Sequence, residues 1–195
     1  MQKYMTMKTA GALALALGLT LGSLTAADGK WVELFNGKDL TGWTGMNGVA
    51  AAVVEGNLQI AKGMGWLRFE KEYKDFILEL EWRAYDENYD SGIYLRSGLE
   101  GKPWPKGGYQ VNMRYNMLGG LVRDNKTLVP AEIPKLPINK WHKMRIEVKG
   151  KKAKLIINGE DNWTTDLIEN EKGFLGIQVE NYKFDFRNIR IQELE

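Results

Sequence analysis

Between Asp75 and Tyr85 apolar and polar residues alternate. Phe76, Leu78, Leu80 and Trp82 fall on one side of an extended chain, and Ile77, Glu79, Glu81 and Arg83 on the other. A period of two is that of a strand and not of a helix, so this segment predicts a strand with one face in a core and the other polar. Similar runs occupy 92–96, 109–113, 143–149, 153–157, 174–179 and 184–193, rich in Val, Ile, Phe and Tyr and bounded by Gly, Asn and Asp. Asn158-Gly159 predicts a hairpin turn after one of them. No long segment has helical period, so the pattern predicts an antiparallel sandwich or barrel. Ser97 to Gly108 and the proline-containing stretch from Thr127 to Asn139 are predicted as long loops, where ligand contacts tend to lie.

The first residues stand apart from this pattern. Lys3 and Lys8 precede an uncharged run from Ala10 to Leu21, too short to anchor in a bilayer, and small residues follow it. Residues 1–27 are therefore expected to be an export signal, cleaved after Ala27 with Ala26 as the near alternative, leaving one domain over 28–195. A bacterial periplasmic or extracellular destination follows, with no membrane insertion after cleavage. The absence of cysteine excludes a disulfide framework, thiolate chemistry and Cys-ligated zinc. Loss of Lys3 and Lys8 leaves as many basic as acidic groups, interspersed. That balance argues against nucleic acid or an anionic membrane as partner, and a glycan or other small neutral ligand is expected instead.

Several residues could serve such a ligand. Glu79 and Glu81 on one strand face make a carboxylate pair of the kind glycoside hydrolysis uses, although a solvated outer face would read the same way. Arg83 shares that face. Tyr94 and Arg96 share a face, as do Gln110 and Asn112, so a concave sheet could gather guanidinium and amide groups around a polyhydroxylated ligand. Among seven tryptophans, Trp43, Trp66 and Trp104 lie near glycines or in loops where an indole could stack on a sugar ring, whereas the register of Trp82 places it in the core. The lone His142 cannot supply a histidine metal cluster, and no Gly-x-Ser-x-Gly elbow accompanies it. The acidic run Asp86 to Asp90 could hold calcium through oxygen ligands, but it departs from EF-hand spacing and is read as a polar turn. No metal or cofactor is expected.

The motifs "LFNGKDLTGW" from Leu34, "SGIYLRS" from Ser91, "LGGL" from Leu118, "NKWHKMRIEVKG" from Asn139, "IINGE" from Ile156, "GFLGIQ" from Gly173 and "FDFRNIRIQEL" from Phe184 occur in this order. Together they resemble the 3-keto-disaccharide hydrolase family over nearly all of the mature chain. The resemblance implies an all-β fold, a concanavalin A-like jelly-roll β-sandwich of two antiparallel sheets. It also implies cleavage of glycosidic bonds in sugars already oxidised to a ketone at carbon 3. Such a ketone acidifies the hydrogen on carbon 2, so a base can remove it and the group on carbon 1 can leave.

Where the family commonly reads Tyr-Glu-x-Gln, this chain has Tyr109-Gln110-Val111-Asn112, and where it often reads Leu-Gln-x-His, this chain has Ile177-Gln178-Val179-Glu180. Glu180 at the histidine position is then the candidate proton-transfer residue, with Arg96 as stabiliser of the enolate and Glu81 as a further candidate catalytic carboxylate. Gln110, Asn112, Gln178, Glu79, Arg83, Tyr94, Trp66 and Trp104 are the candidate substrate contacts. An enzyme on 3-keto-glycosides, a non-catalytic carbohydrate-binding module and a conventional two-carboxylate glycosidase all remain open.

Overall fold

The computed structural model describes residues 29–195, and the expected export signal lies outside them. Fifteen strands and no helix make up the described chain: β1 (Trp31–Glu33), β2 (Trp43–Met46), β3 (Ala51–Val54), β4 (Asn57–Ile60), β5 (Met64–Tyr73), β6 (Phe76–Ala84), β7 (Gly92–Ser97), β8 (Tyr109–Asn112), β9 (Leu121–Arg123), β10 (Lys126–Val129), β11 (His142–Lys149), β12 (Lys152–Ile157), β13 (Glu160–Thr165), β14 (Gly173–Glu180) and β15 (Phe184–Glu193). They form two sheets. One runs β13-β12-β11-β6-β15-β4-β3, with β1 beside β4 along the same edge of β15, and the other runs β10-β9-β8-β7-β14-β5-β2. All pairings are antiparallel, as the alternation predicts.

The core lies between the sheets. Phe76, Leu78, Leu80 and Trp82 of β6 are all buried in it, and Ile93 and Leu95 of β7 and Tyr109 and Val111 of β8 enter from the opposite sheet. β6 is flanked on both edges by β11 and β15, so even Ile77 on its outward face is buried. Trp43 also belongs to the core, its indole N–H donating to Leu34 O at 2.7 Å, and is not available for stacking on a sugar. His142 is buried against Trp82, ring centroids 4.9 Å apart, with Nε2 bonded to Pro137 O, a packing role. The Asn158-Gly159 hairpin forms with both residues at positive φ, as a type I′ turn requires. A second such turn at Asp124-Asn125 joins β9 to β10, so the stretch expected to be loop from Thr127 begins as strand.

Arg96 breaks the alternation of β7. Between the pairs Tyr94–Gly176 and Ser97–Phe174, two residues of β7 face one of β14, a bulge, and Arg96 within it has φ +46. Gly173 permits this, because a Cβ there would lie 2.4 Å from the Arg96 carbonyl carbon. The guanidinium swings out of the strand parity and is buried, donating to Lys74 O (2.7 Å), Gly150 O (2.8 Å), Asn170 O (2.6 Å) and Asp75 Oδ1 (2.8 Å). Arg96 is therefore a clamp among turns and not the enolate stabiliser expected from strand parity. Arg96→Lys keeps the charge but cannot reproduce this fork, and is expected to lower unfolding stability by about 2–4 kcal/mol, read as a fall in the urea midpoint with unchanged m-value.

Candidate functional site

β7, β8, β14 and β5 lie side by side, and their registers decide which residues share the face turned away from the core. Tyr94 lies opposite Gly176 on β14 and Gln110 on β8, and Gly92 lies opposite Asn112. Gln178 lies opposite Trp66 and Glu180 opposite Met64 on β5. Carried two residues beyond the start of β7, the β7–β14 register brings Asp90 across from Glu180. The bonds Met113 N to Ser91 O (2.8 Å) and Tyr115 N to Tyr89 O (3.0 Å) continue the β7–β8 pairing past the strand ends, so Arg114 comes across from Asp90. Glu180, Asp90 and Arg114 thus form one transverse row, and Arg114 Nε is 3.4 Å from Asp90 Oδ2.

Two glycines open the floor behind this row. A Cβ on Gly92 would lie 2.3 Å from Gln110 Nε2, and one on Gly176 would lie 2.4 Å from Trp66 Cε3. The Gln110 amide therefore lies across Gly92 and donates to Gln178 Oε1, whose own amide donates to Glu180 Oε2 at 2.7 Å. The Trp66 ring lies across Gly176 with its edge to Tyr94, centroids 5.7 Å apart. Trp66 is 1% exposed, so it supports the floor and is not the sugar platform expected of it.

The connection between β7 and β8 forms a wall. Its Pro103 carbonyl accepts from Asn47 Nδ2 at 2.7 Å, and Gly107 N donates to Asp124 Oδ1 at 2.7 Å, tying it to the β9–β10 hairpin. Half-buried Trp104 and exposed Lys102 and Lys106 line the resulting cavity of about 520 Å³, with Asp90, Tyr94, Gln110, Asn112, Arg114, Gln178 and Glu180 on the remaining sides. Of the expected contacts, Tyr94, Trp104, Gln110, Asn112, Gln178 and Glu180 are brought together.

Glu79, Glu81 and Arg83 are not among them. β6 belongs to the other sheet, and these side chains face a separate surface groove or its surroundings. Glu79 binds Arg145 (2.6 Å) and Arg190 (2.6 Å), Glu81 binds Arg187 (2.7 Å) and Arg83 binds Asp185 (2.6 Å). Burial alone would raise the Glu79 carboxyl, but the hydrogen bonds from Arg145 and Arg190 outweigh it and hold it below its ordinary value. These carboxylates are occupied by arginines, so neither Glu79 nor Glu81 stands as the catalytic or substrate-contacting group expected, and the same holds for Arg83.

The carboxyls of the cavity are set differently. Burial, reinforced by the charge of Glu180 and opposed by Arg114, pushes Asp90 up to about 6, and burial raises Glu180 against the pull of Arg114. Asp90 and Arg114 are absent from the expected contacts, and the acidic run that contains Asp90 reads as a turn from sequence. Among the described residues no group of three or more His, Cys, Asp or Glu side chains is placed to hold a metal ion.

Residues 30–192 match the 3-keto-alpha-glucoside-1,2-lyase-like domain. The chain belongs to that family. A search of curated proteins found no match. Among solved structures, a candidate glycosyl hydrolase from Parabacteroides distasonis superposes with a TM-score of 0.70 at 21% identity, covering 85% of this chain and 94% of that one. The carbohydrate-binding module CBM66 from Bacillus subtilis gives 0.65 at 19%, covering 78% and 96%, and the Bacillus licheniformis beta-glucanase gives 0.57 at 12%, covering 88% and 100%. At these identities the likeness establishes the fold, a concanavalin A-like jelly roll shared with a candidate glycosyl hydrolase, a carbohydrate-binding module and a glucanase.

The raised carboxyl of Asp90 has a cost in stability with a definite pH window. A carboxyl whose folded value exceeds its unfolded one contributes stability below about pH 3.8 that is lost as pH rises through about 6. Asp90→Asn removes that loss. The variant is expected to match the parent near pH 3.5 and to exceed it by about 1–3 kcal/mol at pH 7, measured as urea unfolding at the two pH values.

Proposed function

We propose that this lyase-like chain is an exported carbohydrate-active enzyme that cleaves the glycosidic bond of 3-keto-glycosides by removing the proton on carbon 2. The observation that carries this reading is the facing pair Asp90 and Glu180, both raised by burial, at a cavity also lined by amides. Family membership supports the substrate class. Glu180 takes the carbon-2 proton. Its Oε2 is held by Gln178, which orients the carboxylate, while burial brings its basicity closer to working pH. Asp90, close to half protonated near pH 6, supplies a proton to the departing oxygen on carbon 1. Water then adds to the unsaturated product for net hydrolysis. Trp104 presents an indole on the cavity wall that a sugar ring can meet.

A pair of carboxyls could also serve an ordinary glycosidase, and the likeness to a carbohydrate-binding module favours, as a second reading, a site that holds a glycan through Gln110, Gln178 and Asn112 without turnover. Glu180→Gln and the wild type, assayed side by side, separate the three readings. With 4-nitrophenyl 3-keto-glucoside as substrate, the variant is expected to lose on the order of 100-fold in kcat while its melting temperature holds. Turnover of the unoxidised glucoside by the wild type would favour the ordinary glycosidase, and saturable binding with no turnover of either would favour the module. Residues 1–27 direct export in this reading, and N-terminal sequencing of protein recovered from a bacterial periplasm is expected to begin at Asp28.

A further inference from the structure

We infer that Tyr94 is the hydrogen-bond donor for the carbonyl oxygen of the substrate, so that the cavity is built for a sugar that becomes an enolate and not for one that becomes an oxocarbenium ion. This rests on the proton-abstraction reading above and assigns a residue that strand parity marks only as a contact.

Tyr94 lines the cavity, and its ring is fixed, being 5% exposed with Trp66 packed edge-on at an interplanar angle of 75°. Its neighbour across β14 is Gly176. Polar groups around it already have partners: Gln110 with Gln178, Gln178 with Glu180, and Asp90 with Arg114. No hydrogen bond among the described residues engages the Tyr94 hydroxyl. Burial, and then the charges of Glu180 and Asp90, push the phenol far above its ordinary value, so it stays protonated at any working pH. The cavity thus contains a fixed, neutral O–H without a protein acceptor, close enough to the proposed base to feel its charge.

Such a donor matches the demands of carbon-acid chemistry. As the bond from carbon 2 to hydrogen breaks, the proton passes to the Glu180 carboxylate and its electron pair becomes the double bond between carbons 2 and 3. The carbonyl pair moves onto the oxygen, where the Tyr94 O–H donates without giving up its proton. The oxygen pair then returns, a double bond forms between carbons 1 and 2, and the bond from carbon 1 to the leaving oxygen breaks as that oxygen takes the proton of Asp90. Negative charge peaks on the carbonyl oxygen, so a donor placed there is worth most in the transition state. An ordinary glycosidase transition state develops positive charge at carbon 1 and gains nothing comparable from a neutral donor at carbon 3.

The test isolates proton removal from bond cleavage. A 3-keto sugar bearing hydrogen in place of a leaving group on carbon 1 is incubated in D2O, and loss of the carbon-2 proton signal is followed by NMR. Wild type is expected to catalyse the exchange, and Tyr94→Phe to slow it by about 100-fold, the effect of removing one oxyanion donor. With 4-nitrophenyl 3-keto-glucoside the same variant is expected to lose kcat with KM little changed. Because the hydroxyl has no protein partner, its removal leaves the melting temperature in place, which a thermal scan verifies. If wild type exchanges and cleaves but Tyr94→Phe stays within threefold in both assays, the tyrosine assignment is overturned and the family reaction stands. If wild type does neither, both fall together.

Discussion

One extra residue in β7 sets the register on which the site depends. Below the bulge Ser97 faces Phe174, and above it Tyr94 faces Gly176. Without the bulge, the lower register would carry Glu180 opposite Ser91 and leave Asp90 facing the turn beyond β14. The bulge survives because Arg96, at positive φ, gains four hydrogen bonds to the turns at 74–75, 150 and 170. Asp75 reinforces the arrangement by also accepting from Gly150 N at 2.7 Å. A guanidinium fully enclosed in this way is tied to carbonyl dipoles and one carboxylate, which compensate the loss of water. The chemistry at one end of β7 is thereby coupled to packing at the other.

The two sheets divide charge in opposite manners. On the outward face of the β6 sheet, carboxylates and arginines interlock: Arg145 bridges Glu79 and Glu147, and Arg187 holds Glu81 while lying 4.0 Å over the Trp141 ring. Such a face satisfies itself. On the β7 sheet two carboxyls share one arginine, and each is raised by burial. A structure that served only stability would not keep like charges facing each other in a partly dry cavity, and this is the conflict expected where function has set the residues.

Much of this was legible beforehand. Period-two alternation located β6, β7, β8, β11, β12, β14 and β15, and Asn158-Gly159 located a hairpin. Parity alone groups Tyr94 with residues on neighbouring strands, but it does not say which sheet a strand joins, so it places Glu79 and Glu81 with Gln110 although β6 lies across the core. Parity misplaces Arg96 because a bulge leaves no mark in alternation. Asp90, within the acidic run that reads as a polar turn, and Arg114 lie just outside the strands, yet each keeps the parity of the strand beside it, Asp90 with Gly92 and Arg114 with Asn112. Parity extended two residues past each strand end reaches both.

Gly92 and Gly176 contribute no functional group, yet the site takes its form from them: the Gln110 amide occupies the space above one and the Trp66 ring the space above the other. The cavity floor is thus shaped by side chains that are missing, in the manner of a mould. Substitution of Gln110 or Glu180 would vary the chemistry inside an unchanged mould, whereas a methyl group at Gly92 or Gly176 would displace the Gln110 amide or the Trp66 ring that gives the mould its form.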